Sequence, residues 1–190
     1  MQTRLAPRSS WNPLFWIALL AYRVSVGGAA TPARVIFSRA PWVVLAHLIL
    51  MVTSEYALSL DRRLRYLVRV FGSRVNGCMY CDDLETYMAL RHRAITRDDI
   101  DALTSYASSE RFSERERAAL RYVEEINRRH NAGDTTWSAL RTHFSEREIV
   151  EITWLNAVGT YLNLQARPLG LGDEGYCQLP APSAAQPPAG

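Results

Sequence analysis

Apolar residues run almost unbroken from Leu14 to Tyr22, where Arg23 closes the stretch, and they predict a first helix ending near Val24. Gly27 to Pro32 reads as a loop, and Pro32 can open a short helical turn toward Phe37. A second run starts after Pro41. From Trp42 to Tyr56 it is apolar nearly all round, which predicts a helix buried on every side. Neither run reaches the ~20 residues that a spanning helix needs, so both are expected to be core helices. Arg4 and Arg8 ahead of the first run, with Gly27-Gly28-Ala29-Ala30 behind it, have the outline of a signal peptide. Arg23 interrupts that outline, and a retained helix is the expectation.

The pattern then becomes amphipathic. Leu64, Leu67, Val68 and Phe71 recur at helical spacing behind Asp61, a good N-cap, with arginines on the opposite side. Asn76-Gly77 breaks this helix, and Asn76 is a plausible cap for the next, which runs to about Arg93. Thr96-Arg97-Asp98-Asp99 opens a further short helix. The pentapeptide Phe-Ser-Glu-Arg-Glu occurs at Phe112–Glu116 and again at Phe144–Glu148. Each copy is a capping box, Ser113 with Glu116 and Ser145 with Glu148. Phe144 and Ile149 can add a hydrophobic staple to the second. Beyond the boxes the two sequences diverge, which indicates two helix starts rather than a repeat. Pro168, Gly170 and Gly172 end the last long helix. No strand or hairpin pattern is present, and the expected architecture is an all-α single-domain helical bundle. Residues 1–40 form an N-terminal helical extension, 41–178 the domain, and 179–190 a disordered Pro/Ala-rich tail.

Composition narrows the chemistry. The 190 residues are 48% hydrophobic and 22% charged, enough for a real core without staples. All 22 basic residues are arginine. Without lysine there is no P-loop lysine and no Schiff base. The cluster Arg62, Arg63, Arg65, Arg69 and Arg74 reads as a solvated helix face, since no aromatic-interleaved or zinc-finger pattern accompanies it. Neither a nucleic-acid partner nor a membrane is expected. Three cysteines do not make a secreted disulfide framework, and a reducing, cytoplasmic setting fits them better.

Two of those cysteines form the pair Cys78-Met79-Tyr80-Cys81, just after Asn76-Gly77. Two thiols three residues apart can close a disulfide, and a helix N-terminus lowers thiol pKa. Cys78, Cys81 and Glu85 share a helix face. Glu85 could exchange protons with the sulfurs if its own pKa were raised by burial. Otherwise Glu85, Asp82 and Asp83 disfavour a thiolate, unless Arg65, Arg69 or Arg74 folds toward them. The alternative is two buried cysteines acting as small hydrophobes. A metal site has little support, because His92, His130 and His143 lack mutual ligand spacing. Cys177 stands alone and is expected to pin the C-terminal segment.

The run Leu60-Asp61-Arg62-Arg63-Leu64-Arg65 followed by Val75-Asn76-Gly77-Cys78-Met79-Tyr80-Cys81 resembles the carboxymuconolactone decarboxylase / alkylhydroperoxidase D-like superfamily. Phe144–Glu148, Leu155-Asn156, Tyr161-Leu162-Asn163, Pro168-Leu169-Gly170 and Gly175-Tyr176-Cys177 extend the similarity over roughly Pro41 to Cys177. The resemblance implies packed helices that assemble into homo-oligomers. It also implies a cofactor-free antioxidant thiol peroxidase, with peroxiredoxin-type activity, or a disulfide reductase. Its substrate would be a small peroxide or disulfide, and its electron donor is unidentified. Cys81 would attack and Cys78 resolve. The family's relay histidine, four residues after the second cysteine, is Glu85 here, and the relay glutamate of the preceding helix corresponds to Tyr66. Tyr66 and Glu85 would therefore form a substitute relay. The alternatives are a non-catalytic oligomer or redox sensor on the same fold, and a lactone decarboxylase, for which no base is identifiable.

Overall fold

A computed structural model describes residues 3–178; the expected disordered tail lies outside the described residues. Helix α1 spans Pro13–Ser25, started by Asn12, whose side chain accepts from Leu14 N at 2.9 Å. A π-helical turn follows at Ala33–Phe37, then α2 at Val43–Tyr56. Helix α3 covers Arg62–Val75 behind the Asp61 cap, and α4 covers Met79–Arg91. The short α5 at Arg97–Ala102 starts from a capping box of Thr96 and Asp99. Helices α6, Glu114–Arg129, and α8, Glu146–Ala166, begin at the two boxes expected from the repeated pentapeptide, with α7, Asp134–His143, between them. No strand occurs among the described residues.

Helix α3 is the centre of the bundle and packs on α4, α6 and α8. Its stripe Leu64, Leu67, Val68 and Phe71 meets Ala119, Tyr122 and Val123 of α6 and Ile149, Ile152 and Leu155 of α8 in one core. Phe144 and Ile149, the expected staple, are buried there together. Glu151 of α8 accepts from Ser59 N at 2.8 Å and Leu60 N at 3.2 Å, which fixes the turn into α3. Gly72 lets α3 approach α8, since a Cβ there would stand 2.9 Å from Asn156 Oδ1.

Two sequence expectations are corrected. Asn76 does not cap α4. Its side chain donates to Asn127 Oδ1 at 3.1 Å, joining Asn127, Asn156 and Thr160 in a polar knot that anchors the end of α3. Cys78 takes the N-cap position instead, after Gly77 turns the chain at φ +62°. Nor is α2 buried on every side. Only Val44 and Ser54 are buried, while Trp42, Ile49, Val52 and Tyr56 are exposed. Helix α1 likewise exposes Trp16, Ile17, Leu20 and Val24. A helix apolar all round needs cover on every side, and one copy of this chain covers only part of it.

The N-terminal segment has a small core of its own, made of Phe15, Ala18, Leu19, Ala30, Ala33, Phe37 and Val44.

Candidate active site

Cys78 and Cys81 are joined by a disulfide at the start of α4, with their Cα atoms 5.2 Å apart. Cys78 sits in extended backbone as the N-cap, and its Sγ accepts from Cys81 N at 3.3 Å. Negative charge on that sulfur is therefore favoured by an N–H donor and by the helix dipole. Cys78 is 1% exposed and Cys81 6%. They pack in one cluster with Val35, Tyr80, Ala166, Leu171 and Tyr176, edged by Tyr22 and Tyr87.

The acidic residues of α4 are each held by a specific partner. Arg74 Nε lies 2.9 Å from Asp82. Arg69 Nη2 donates to Glu85 Oε1 at 3.1 Å, and its Nε is 2.8 Å from Oε2, off the hydrogen-bond direction. Arg69 also reaches Glu55 at 3.2 Å. Burial works against the Arg69 charge, but Glu85, Tyr66 and Glu55 outweigh it and hold its pKa above the ordinary value. Glu85 thus serves as the counter-ion of a buried guanidinium. Arg65, the third arginine considered, turns instead to the Glu55 carbonyl.

Tyr66 is 2% exposed. The Arg69 guanidinium lies 5.0 Å from its ring centroid, and the His92 ring stacks on it at 5.9 Å. Burial pushes its phenol up to about 12, and its hydroxyl finds no hydrogen-bond partner among the described residues. Tyr66 and Glu85 are thus brought together, with Arg69 between them.

Asp83 binds the other end of the chain. Its Oδ2 accepts from Glu174 N at 3.2 Å and Tyr176 N at 2.9 Å, and its Oδ1 from Cys177 N at 2.9 Å. Burial opposes its charge, but these donors prevail and hold the carboxyl below its usual range. The Cys177 thiol donates to the Asp83 carbonyl at 3.3 Å; burial and Asp83 push it up to about 12. That is the pinning role expected of Cys177, in a thiol poorly suited to reaction.

Sequence reasoning missed a phenol cluster over the dithiol. Tyr22 Oη meets the hydroxyls of Tyr80 and, at 3.0 Å, Tyr176. Tyr176 in turn donates to Glu174 Oε2 at 2.5 Å. Burial pushes Tyr22 up to about 12 and raises Tyr80 and Tyr176 as well, so all three remain neutral donors. Tyr80, inside the cysteine motif itself, was the only local signal of this cluster.

Residues 46–125 match the model of the carboxymuconolactone decarboxylase family. The uncharacterized protein YdfG of Bacillus subtilis (strain 168) is 29% identical over 96 residues, half of this chain and 65% of that one. The chain thus spans just under two thirds of that relative's length. A crystal structure from Agrobacterium tumefaciens, of unknown function and suggested to be the antioxidant defence protein AhpD, is 27% identical with a TM-score of 0.66. That likeness covers 72% of this chain and 94% of the other. The debrominase Bmp8, solved with 2,3,4-tribromopyrrole, has a TM-score of 0.78 at 19% identity over 94% of this chain and 95% of its own. At that identity it speaks for the fold alone. No helix among the described residues is long and apolar enough to cross a membrane. The family match spans the dithiol, Tyr66 and Glu85, and the structural likeness reaches over the helical body around them: residues 46–125 belong to the carboxymuconolactone decarboxylase family, within a chain that has the alkylhydroperoxidase D-like fold.

Proposed function

We propose that this protein is a cofactor-free thiol oxidoreductase that reduces a small peroxide or disulfide with Cys78 and Cys81. One observation carries the reading: the two sulfurs are within bonding reach at a helix start, with Cys78 as the N-cap. Cys81, the more exposed of the two, is the attacking thiolate. It takes the terminal oxygen of a hydroperoxide to become a sulfenic acid and releases an alkoxide that leaves as the alcohol. The Cys78 thiolate, favoured by the Cys81 N–H, then attacks the Cys81 sulfur, expels hydroxide that takes up a proton and leaves as water, and closes the disulfide. An external dithiol returns two electrons and two protons. Tyr66 and Glu85 act on this cycle through Arg69 rather than as a free acid and base, because their geometry is that of a buried ion pair under a phenol. The setting is a reducing, cytoplasmic one, and the exposed apolar faces of α1 and α2 suit assembly into a homo-oligomer.

The test is single-turnover oxidation of the reduced protein. Peroxide should yield a Cys78–Cys81 disulfide by mass, and a dithiol reductant should sustain turnover that Cys81→Ser abolishes. A second reading, a redox sensor or non-catalytic oligomer on this fold, is favoured by the near-complete burial of both sulfurs. Disulfide formation without turnover would select it.

A further inference from the structure

We propose that the dithiol lies under a latched cover, made of the N-terminal segment and the C-terminal strap, that must part before a reactant meets the sulfurs. This rests on the reading of Cys78 and Cys81 as a working redox pair. The residues that seal them come largely from the chain ends: Tyr22, Val26, Val35 and Ile36 from one, Leu169, Leu171 and Tyr176 from the other. A surface hollow at Tyr106, Arg117, Arg121 and His143 has neither cysteine in its lining.

The N-terminal piece meets the main bundle through α2, which rests on α8, and through the ring of Tyr22. It owns a separate core, and α1 packs on the π-helical turn and α2 rather than on the α3–α6–α8 bundle. A few polar ties hold the two pieces down. Tyr22 joins Tyr80 of α4 to Tyr176 of the strap. Thr31 N donates to Glu174 at 3.2 Å, and Arg4 N to the Leu169 carbonyl at 3.0 Å, so the two pieces hold each other. Asp83 clasps the strap, and Arg91 Nη1 donates to the Ser25 carbonyl at 2.7 Å. Gly28, at φ +72°, lets the Tyr176 ring fit closely, since a Cβ there would stand 2.7 Å from it. Local openings of this kind draw on the least stable parts of a fold, and Tyr22 is the tie shared by three segments.

The test uses the reduced full chain and iodoacetamide, with labelling of each cysteine followed by mass. Tyr22→Phe keeps the ring and removes the shared hydroxyl. Losing the two hydrogen bonds of that hydroxyl should raise the labelling rate of Cys81 about ten- to thirtyfold, with the pH midpoint of labelling unmoved. Tyr176→Phe should do the same. Hydrogen exchange on the unmodified chain is an independent arm. The Tyr176 and Cys177 amides should exchange well before Val68 and Phe71 of α3. Labelling equal in the wild type and both variants, or strap amides that exchange only with global unfolding, would overturn the cover. No peroxide enters either measurement, so a chain without turnover could still show the cover, and an active one could lack it.

Discussion

Arg69 and Glu85 form a buried ion pair one turn beyond Cys81, at 2.8 Å, at the position where the family resemblance implies a relay histidine. Both side chains are largely shielded from water, at 16% and 11% exposure. Removing Glu85 leaves the guanidinium with Glu55 as its remaining carboxylate. Glu85→Ala should therefore cost about 2–4 kcal/mol of stability, measured by urea unfolding of the oxidised protein. A loss below about 0.5 kcal/mol would show that the pair is not held as described.

Tyr66 makes the opposite prediction. Its buried hydroxyl has no partner among the described residues, so Tyr66→Phe should leave stability unchanged or raise it by up to about 1 kcal/mol. Peroxide-driven oxidation should stay within about threefold of wild type. A fall of ~10²-fold would instead make Tyr66 a proton-transfer group.

Cys177→Ser should not impair the redox cycle, because its thiol is pushed up to about 12 and already donates to Asp83. Serine keeps a donor at that place. Single-turnover oxidation rates should agree within about twofold, and a larger loss would make Cys177 a third redox thiol.

Acid should loosen the fold through its aspartates. Asp99, bound by Arg63 at 2.8 Å and by Thr96, is held at about 2, and Asp83 is also depressed. A lowered folded-state pKa stabilises above the unfolded value and loses that contribution as pH falls through the folded one. Stability should therefore be flat above about pH 5 and decline from there to about pH 2. Asp99→Asn should remove about 1–2 kcal/mol of this pH-dependent part, as seen in urea unfolding at pH 6 and pH 2.5.

The outer faces of α1 and α2 predict association. Ile49→Asp should reduce the sedimentation mass of the wild-type assembly toward that of one chain without lowering helix content. A wild type that sediments as a single chain would refute the homo-oligomer.

Much of the bundle was legible because it is written locally. The α3 stripe and the two Ser–Glu boxes each lie within a few residues and appear where expected, whereas the cysteine-bearing helix starts two residues beyond the expected Asn76 cap. What was hidden is long-range. Asp83 meets Cys177 across 94 residues and Tyr22 meets Tyr176 across 154, and no period or cap announces such a pairing. The exposed side of α2 was hidden for a different reason: apolar residues show that a surface wants cover, not whether the same chain supplies it. Arg65, Arg69 and Arg74 had equal claim on the carboxylates, and the packing of α3 on α4 gave Glu85 to Arg69 and Asp82 to Arg74.

The family match begins at residue 46 and ends at 125, whereas the Tyr22 and Tyr176 rings lie outside those limits. The proposed cover would therefore be written largely outside the stretch that holds the dithiol, while its anchors Tyr80, Asp83 and Arg91 lie inside it. Swapping either terminus between relatives would then change the fit of the cover while leaving Cys78, Cys81 and those anchors untouched.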